Sequence, residues 1–409
     1  MRPLAICLSA ILLFACAATQ EEQVCKDFAR PLAPGAKALV PVDPSQWPDF
    51  YAGIDPAGDP GHRKKLLEAI DHSISWFQAP SSTTHFPYDG AEATPGGISH
   101  DRIAASLASF RELVASRPSR EEFRRQLEAN FVVYTSVGWD GGGDVLFTAY
   151  CEPIYQGSKT RSSRFRYPLY GLPEDLVKAP DGKPLGRKVG GAVQPCPTRR
   201  EIEKGDWVKG KEVVWLADRF DAYVVHVQGS ARIQLAEGGE MRIGYAGKTD
   251  RPYVSVGKEL VKDGKIPEKE MSLKAIRNFF KTNPAAMDDY LDRNESFVFF
   301  LERDGGPYGS LGVPVTSGCS IATDKSVFPR GSIAFLDTTL PIDPSAKVFQ
   351  PHKAFVLDQD TGGAIRSAGR TDIFLGTGPS AEERAGHVQQ EGRLYYLFLK
   401  DDRALASAR

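Results

Sequence analysis

The chain has 409 residues, 41% hydrophobic and 25% charged, with 51 Lys and Arg against 52 Asp and Glu and a formal net charge of −1. That balance fits a globular protein of about two to three domains. With no basic block interleaved with aromatics, it excludes a nucleic-acid binder. The 39 Gly and 29 Pro favour many turns and short strands over long helices.

Residues 1–15 read as a signal peptide. Arg2 precedes an apolar run from Leu4 to Ala15 that is too short for a bilayer span. Leu13-Phe14-Ala15-Cys16 resembles a lipobox, which would make Cys16 the lipidated first residue of an exported chain. A plain signal cut at Ala15-Cys16-Ala17 is the competing reading. Cys7 leaves with the signal and lipidation consumes Cys16, so four of the six cysteines remain. No pair has CxxC spacing, and the seven scattered His include no HExxH, so no metal or cofactor is expected.

Residues 16–59 are polar and rich in Pro and Gly, a tether. The apolar spacing then predicts helices over His62–Phe77, Ile103–Ala115 and Ser119–Phe131. From Phe131 the period changes. Phe131–Tyr134 and Val145–Tyr150 read as strands around a Gly-rich turn. Residues 156–212 read mostly as loop. Val213–Leu216, Ala222–Val227, Ala231–Leu235 and Met241–Tyr245 read as strands, with His226 a strand-face residue beside Gln228. Ser272–Thr282 and Pro284–Leu291 read as helical. Ser296–Leu301, Gly331–Leu336, Ala354–Leu357 and Leu394–Phe398 read as strands. Short strands at this spacing argue for a barrel rather than a doubly wound sheet. The pairs Gly142-Gly143 and Gly362-Gly363 lack the Lys-Ser/Thr ending of a phosphate loop.

Asp360 opens the Gly-Gly turn, and Asp372 lies between Thr371 and the apolar run Ile373-Phe374-Leu375. Apolar neighbours desolvate a carboxyl group and raise its pKa towards that of a general acid. On spacing alone, a turn cap at Asp360 and a strand end at Asp372 is the favoured reading of the pair.

Several motifs then resemble one family in order. They are Phe147-Thr148-Ala149-Tyr150-Cys151-Glu152-Pro153, Trp215-Leu216-Ala217-Asp218, Val227-Gln228-Gly229-Ser230-Ala231-Arg232, Gly244-Tyr245-Ala246-Gly247-Lys248 and Pro252-Tyr253-Val254-Ser255-Val256-Gly257. Gly309–Thr316, Thr323-Asp324, Phe328-Pro329-Arg330-Gly331 and the Asp360/Asp372 segment follow. The set is similar to the membrane-bound lytic murein transglycosylase A family, whose C-terminal module is named for three aspartates, here Asp324, Asp360 and Asp372.

The resemblance implies a mainly β fold with N-terminal helices: a double-psi β-barrel domain, a second β-rich domain inserted in it, and a groove between them for a glycan strand. The barrel would take residues 60–155, with the helices, and 290–409; the insert would take 156–289. It implies cleavage of the β-1,4 bond between N-acetylmuramic acid and N-acetylglucosamine in peptidoglycan without water, leaving 1,6-anhydro ends. Asp372 would be the catalytic acid and then base. Asp360 would support it, its charge helping to keep Asp372 protonated, and Asp324 would hold a turn. Thr148, Tyr150, Glu152, Gln228, Ser230 and Tyr245 match groove positions. The expected partners are the glycan strand and, through a lipid anchor, the outer membrane facing the periplasm.

Two departures, Ala149-Tyr150-Cys151 and Gly318-Cys319-Ser320, suggest a Cys151–Cys319 disulfide. A hydrolase with a second carboxylate, or a non-catalytic wall-binding protein, remain as alternatives.

Overall fold

The computed structural model describes residues 26–55, 61–179, 182–343 and 348–401. The expected signal peptide and Cys16 lie outside them. In chain order the first part contains β1 (Leu39–Pro41), α1 (His62–Phe77), α2 (His100–Ala115), α3 (Arg120–Asn130), β2 (Phe131–Ser136) and β3 (Val145–Glu152). The middle contains β4 (Ile154–Ser158), β5 (Tyr167–Tyr170), β6 (Leu176–Lys178), β7 (Pro184–Val189), β8 (Ala192–Gln194), α4 (Arg199–Lys204), β9 (Glu212–Leu216), α5 (Arg219–Gln228), β10 (Ser230–Leu235), β11 (Glu240–Lys248), α6 (Val256–Lys262), α7 (Leu273–Thr282), α8 (Met287–Asp292) and β12 (Val298–Glu302). The last part contains β13 (Ser320–Ala322), β14 (Ile333–Pro341), β15 (Phe349–Asp360), β16 (Arg370–Thr377), α9 (Pro379–Ala385) and β17 (Gln389–Leu399).

Strands β17, β14, β15, β13, β16 and β3 pair in that order, and β3 pairs again with β17, so six strands close into a ring. β2 and β1 extend the sheet beyond β17. Closure satisfies the edge hydrogen bonds that an open sheet would leave exposed. The helices cover this sheet. Ser99 and Ser119 cap α2 and α3, accepting from Arg102 N–H and Glu122 N–H. Their apolar faces then bring Phe110 and Phe123 against Phe355.

A second sheet, β12-β11-β10-β4-β9-β5, is built from the chain between β3 and β13 and has its own core around Leu216, Ile233, Ile243 and Phe300. Glu152-Pro153-Ile154 passes from one sheet to the other.

Three expectations are corrected. The segment taken as tether is partly core: Leu39 and Phe50 are buried, and β1 pairs with β2. Residues 156–212, read as loop, hold β5 to β8 and α4; β7 carries Gly, Pro and charge in place of a clear alternation, and β8 is only three residues long. Ala222–Val227, read as a strand, lies in α5. Asp218 caps that helix through Phe220 N–H and Asp221 N–H, and Gly229 ends it at φ +78°. These end signals outweigh the β-branched run inside it.

Candidate active site

Strand register gathers the aspartates. Asp360 on β15 pairs with Ala322 on β13, Ala322 pairs with Asp372 on β16, and Asp372 pairs with Thr148 on β3. Neighbouring strands lie about 4.8 Å apart, which puts the two Asp backbones roughly 10 Å apart in one row. Thr148 and Tyr150 share a face of β3 because side chains alternate with a period of two.

Thr148 Oγ1 donates to Asp372 Oδ1. Arg370, two residues before Asp372 and on the same face of β16, donates to Thr148 Oγ1 through Nη2 at 3.2 Å and Nε at 3.4 Å. Its Nη2 also lies 3.6 Å from Asp372 Oδ1. Burial raises the Asp372 pKa, and Arg370 draws it back down. Burial, rather than the expected charge of Asp360, is what raises it. The Asp372 side chain still keeps 17% of its surface open to solvent, so a substrate atom can reach it.

Asp360 is more fully committed. Its Oδ2 accepts from Tyr150 OH at 2.8 Å, and its Oδ1 accepts from Ser310 N–H and Thr361 N–H, each at 2.8 Å. Burial raises its pKa, and these hydrogen bonds oppose the rise. Asp324 holds turns on both sides. Oδ1 accepts from Ser326 N–H at 3.0 Å, and Oδ2 accepts from Ser367 N–H at 2.8 Å. Ser367 sits at φ +64°, a conformation an L-residue adopts only when held there, and it lies in the loop that joins Asp360 to Asp372.

The remaining groove residues do not gather here. Glu152, expected to meet glycan, is 1% exposed. Its carboxylate accepts from Thr377 Oγ1 at 2.8 Å and lies 3.8 Å from both Arg232 and Arg242. It binds the end of β16 to the second sheet. Gln228 Oε1 accepts from Cys151 N–H at 3.2 Å, a second tie between the two sheets. Ser230 is buried at the start of β10, and Tyr245 stands exposed on β11. His226 is buried, with Nδ1 accepting from Val298 N–H at 3.1 Å and its pKa pushed well down by burial.

Cys151 and Cys319 form no disulfide. Both are buried in the same core, where Cys319 Sγ faces His62 Nδ1 on α1 at 3.6 Å. Among the described residues, no group of three or more His, Cys, Asp or Glu is placed to hold a metal ion.

Sequence reasoning missed Arg370 and Ser310. The Arg370-Thr371-Asp372 alternation was the available signal for the first. A backbone donor such as Ser310 N–H leaves no signal in residue identity.

The family model for the MltA specific insert domain matches residues 146–301, and that for the 3D domain matches 319–398. A membrane-bound lytic murein transglycosylase A of Vibrio cholerae is 32% identical over 269 residues, 64% of this chain and 68% of the relative. The protein of the same name from Escherichia coli K12 is 32% identical over 264 residues, 64% and 67% of the two chains. The structure of a membrane-bound lytic murein transglycosylase from Agrobacterium tumefaciens superposes with a TM-score of 0.72 at 28% identity, covering 91% of this chain and 100% of that one. E. coli MltA with bound chitohexaose shares the fold, with a TM-score of 0.66 at 24% identity over 91% and 99% of the two chains. With two relatives above 30% identity and both family modules in order along it, the chain belongs to the membrane-bound lytic murein transglycosylase A family.

Proposed function

We propose that this lytic murein transglycosylase cleaves the β-1,4 bond between N-acetylmuramic acid and N-acetylglucosamine with Asp372 as its only acid and base. Protonated Asp372 donates to the glycosidic oxygen as the bond from muramyl C1 breaks. The resulting carboxylate takes the proton of the muramyl C6 hydroxyl as O6 bonds to C1, closing the 1,6-anhydro ring. Thr148, itself held by Arg370, fixes Oδ1 and turns Oδ2 towards substrate. The observation that carries this reading over hydrolysis is the state of Asp360. Both of its oxygens are engaged by Tyr150, Ser310 and Thr361, so it is poorly placed to serve as the second carboxylate that activates water.

The saccharide held by the E. coli relative supports a glycan strand as the ligand. The closed six-strand ring, with its parallel pairs β13–β15 and β16–β3, supports a double-psi β-barrel. The second sheet is then its insert, with the groove between them. Lipidation at Cys16 would hold the enzyme at the outer membrane on the periplasmic side.

Mass spectrometry of products from purified peptidoglycan tests the chemistry. Anhydromuramyl ends, one water lighter than hydrolytic ends, are expected. Reducing muramyl ends would overturn the reading in favour of a hydrolase.

Arg370 sets the pH range. Asp372 must carry a proton to begin, so the rate falls as pH rises through its pKa. Arg370 lowers that pKa, so Arg370→Gln moves the falling limb to higher pH and reduces kcat more than it changes KM. A pH–rate profile checks this; an unshifted limb would leave Arg370 a purely structural residue.

A further inference from the structure

Residues 26–30, read from the sequence as tether, fold onto the active-site strands. Ala29 N–H donates to Asp27 Oδ1 at 3.1 Å and Arg30 N–H to the Asp27 carbonyl at 3.0 Å, so this stretch closes into a turn. Lys26 Nζ lies 2.6 and 2.7 Å from the two carboxylate oxygens of Glu391 on β17. Glu391 pairs with Leu146 on β3, and Leu146 pairs with Arg370 on β16. The turn is thus fixed at the level of the sheet where Arg370 begins its strand.

From there it reaches the residues that lead into β16. The half-buried Phe28 ring meets Trp139 edge-on, with centroids 5.7 Å apart. A Cβ on Gly369 would stand 2.7 Å from the Phe28 carbonyl oxygen and 2.6 Å from Trp139 Cβ, so the turn and Trp139 close over Gly369 at a distance only glycine allows. Ser367 Oγ donates to the Arg30 carbonyl. The barrel holds the same run: Ser136 Oγ donates to the Ala368 carbonyl at 2.9 Å, and Leu146 N–H to that of Gly369 at 2.8 Å. Gly369 is followed directly by Arg370, whose guanidinium holds Thr148 beside Asp372.

We propose that the turn of residues 26–30 is a positioning clip: it holds Ser367 and Gly369 against the barrel and so keeps Arg370, and through it Thr148 and Asp372, in their catalytic arrangement. This rests on the reading of Asp372 as the acid given above. Ser367 sits at φ +64°, a conformation that relaxes unless its surroundings hold it. Asp324 holds its N–H, and Arg30 holds its hydroxyl. Without the clip, that strain can release along the chain into Arg370. A misplacement of about 1 Å at a reacting centre costs about a hundredfold in rate, so a smaller drift of Arg370 is enough to be read. The turn lies outside both family modules, which match residues 146–301 and 319–398. The site therefore depends on a stretch of chain remote from it in sequence.

The test uses full-chain Phe28→Ala, with Ser367→Ala, which removes the hydroxyl held by Arg30, as the second variant if the first folds poorly. Release of anhydromuramyl ends from soluble glycan strands gives kcat and KM. Phe28→Ala should lower kcat about tenfold and leave KM within about twofold, and Phe28→Tyr, which keeps the ring, should restore the rate. Added to Arg370→Gln, Phe28→Ala should cost much less than that factor, because the clip acts through Arg370. Amide hydrogen exchange across residues 366–371 should quicken about tenfold in Phe28→Ala, with β14 unchanged. An unchanged kcat, a loss that multiplies in full with that of Arg370→Gln, or unchanged exchange across residues 366–371 would overturn the clip. A parent protein that releases no anhydromuramyl ends would count against the proposed chemistry, and the exchange measurement would then judge the clip by itself.

Discussion

Asp372→Asn is expected to abolish release of anhydromuramyl ends, by a factor of about a thousand or more, because in the proposed mechanism one group serves both proton transfers. The amide still accepts from Thr148, so the local hydrogen bond and glycan binding survive. The same substitution should stabilise the fold at neutral pH. Burial raises the folded-state pKa of Asp372 above its unfolded value, so its protonated form is favoured on folding. The stability that protonation brings is complete below the unfolded pKa, about 3.9, and is lost as pH rises through the folded pKa. The Asn variant escapes that loss. Its melting temperature should exceed the parent's at pH 7, and the gap should close below about pH 4. An active Asn variant would dismiss Asp372 as the acid. A variant no more stable at pH 7 than its parent would mean that Arg370 fully compensates the buried charge.

The second large effect is on stability. Lys325 and Asp358 form an ion pair with side-chain exposures of 4% and 0%. Asp358 also accepts from Thr323 Oγ1 at 2.8 and 2.9 Å and from Tyr396 OH at 2.8 Å. Removing one partner of such a pair strands the other charge. Lys325→Met should therefore cost about 3–5 kcal/mol in urea denaturation. Lys325→Met with Asp358→Leu should cost much less, because no buried charge remains. A single variant that loses under about 1 kcal/mol would show that the pair is hydrated. Activity should fall with stability, because this network lies beneath the site. Thr323 N–H donates to the Asp360 carbonyl, and Thr361 Oγ1 donates to that of Thr323.

What the sequence disclosed depended on the length and purity of each pattern. The helices α1 to α3 and the strands β2, β3 and β14 carry long apolar periods and were readable. β4 to β8 were not, because all are short, β4 to β7 carry Gly, Pro or charge, and β8 is exposed along its whole length. α5 was misread because Val224, Val225 and Val227 suggested a strand, although Asp218 and Gly229 marked both of its ends. In the site, the aspartates and β3 hydroxyls were legible as motif residues. Glu152 was misplaced because a motif position does not report burial. The disulfide was inferred from two cysteines that depart from the family pattern, and such a departure reports neither distance nor orientation; both are free.

One strand has a consequence for how the enzyme is made. β17 pairs with β14, β2 and β3, and so seals the ring at the extreme C-terminal end of the described fold. β3 carries Thr148 and Tyr150, yet its partner β16 begins more than two hundred residues later in the chain. Contacts of such sequence separation form late and slowly. A chain that stops before β16 therefore holds β3, with Thr148 and Tyr150, without its partners β16 and β17 and without Asp372, the proposed acid. If Asp372 is the acid, as proposed, a copy that stops before β16 cannot cut the wall.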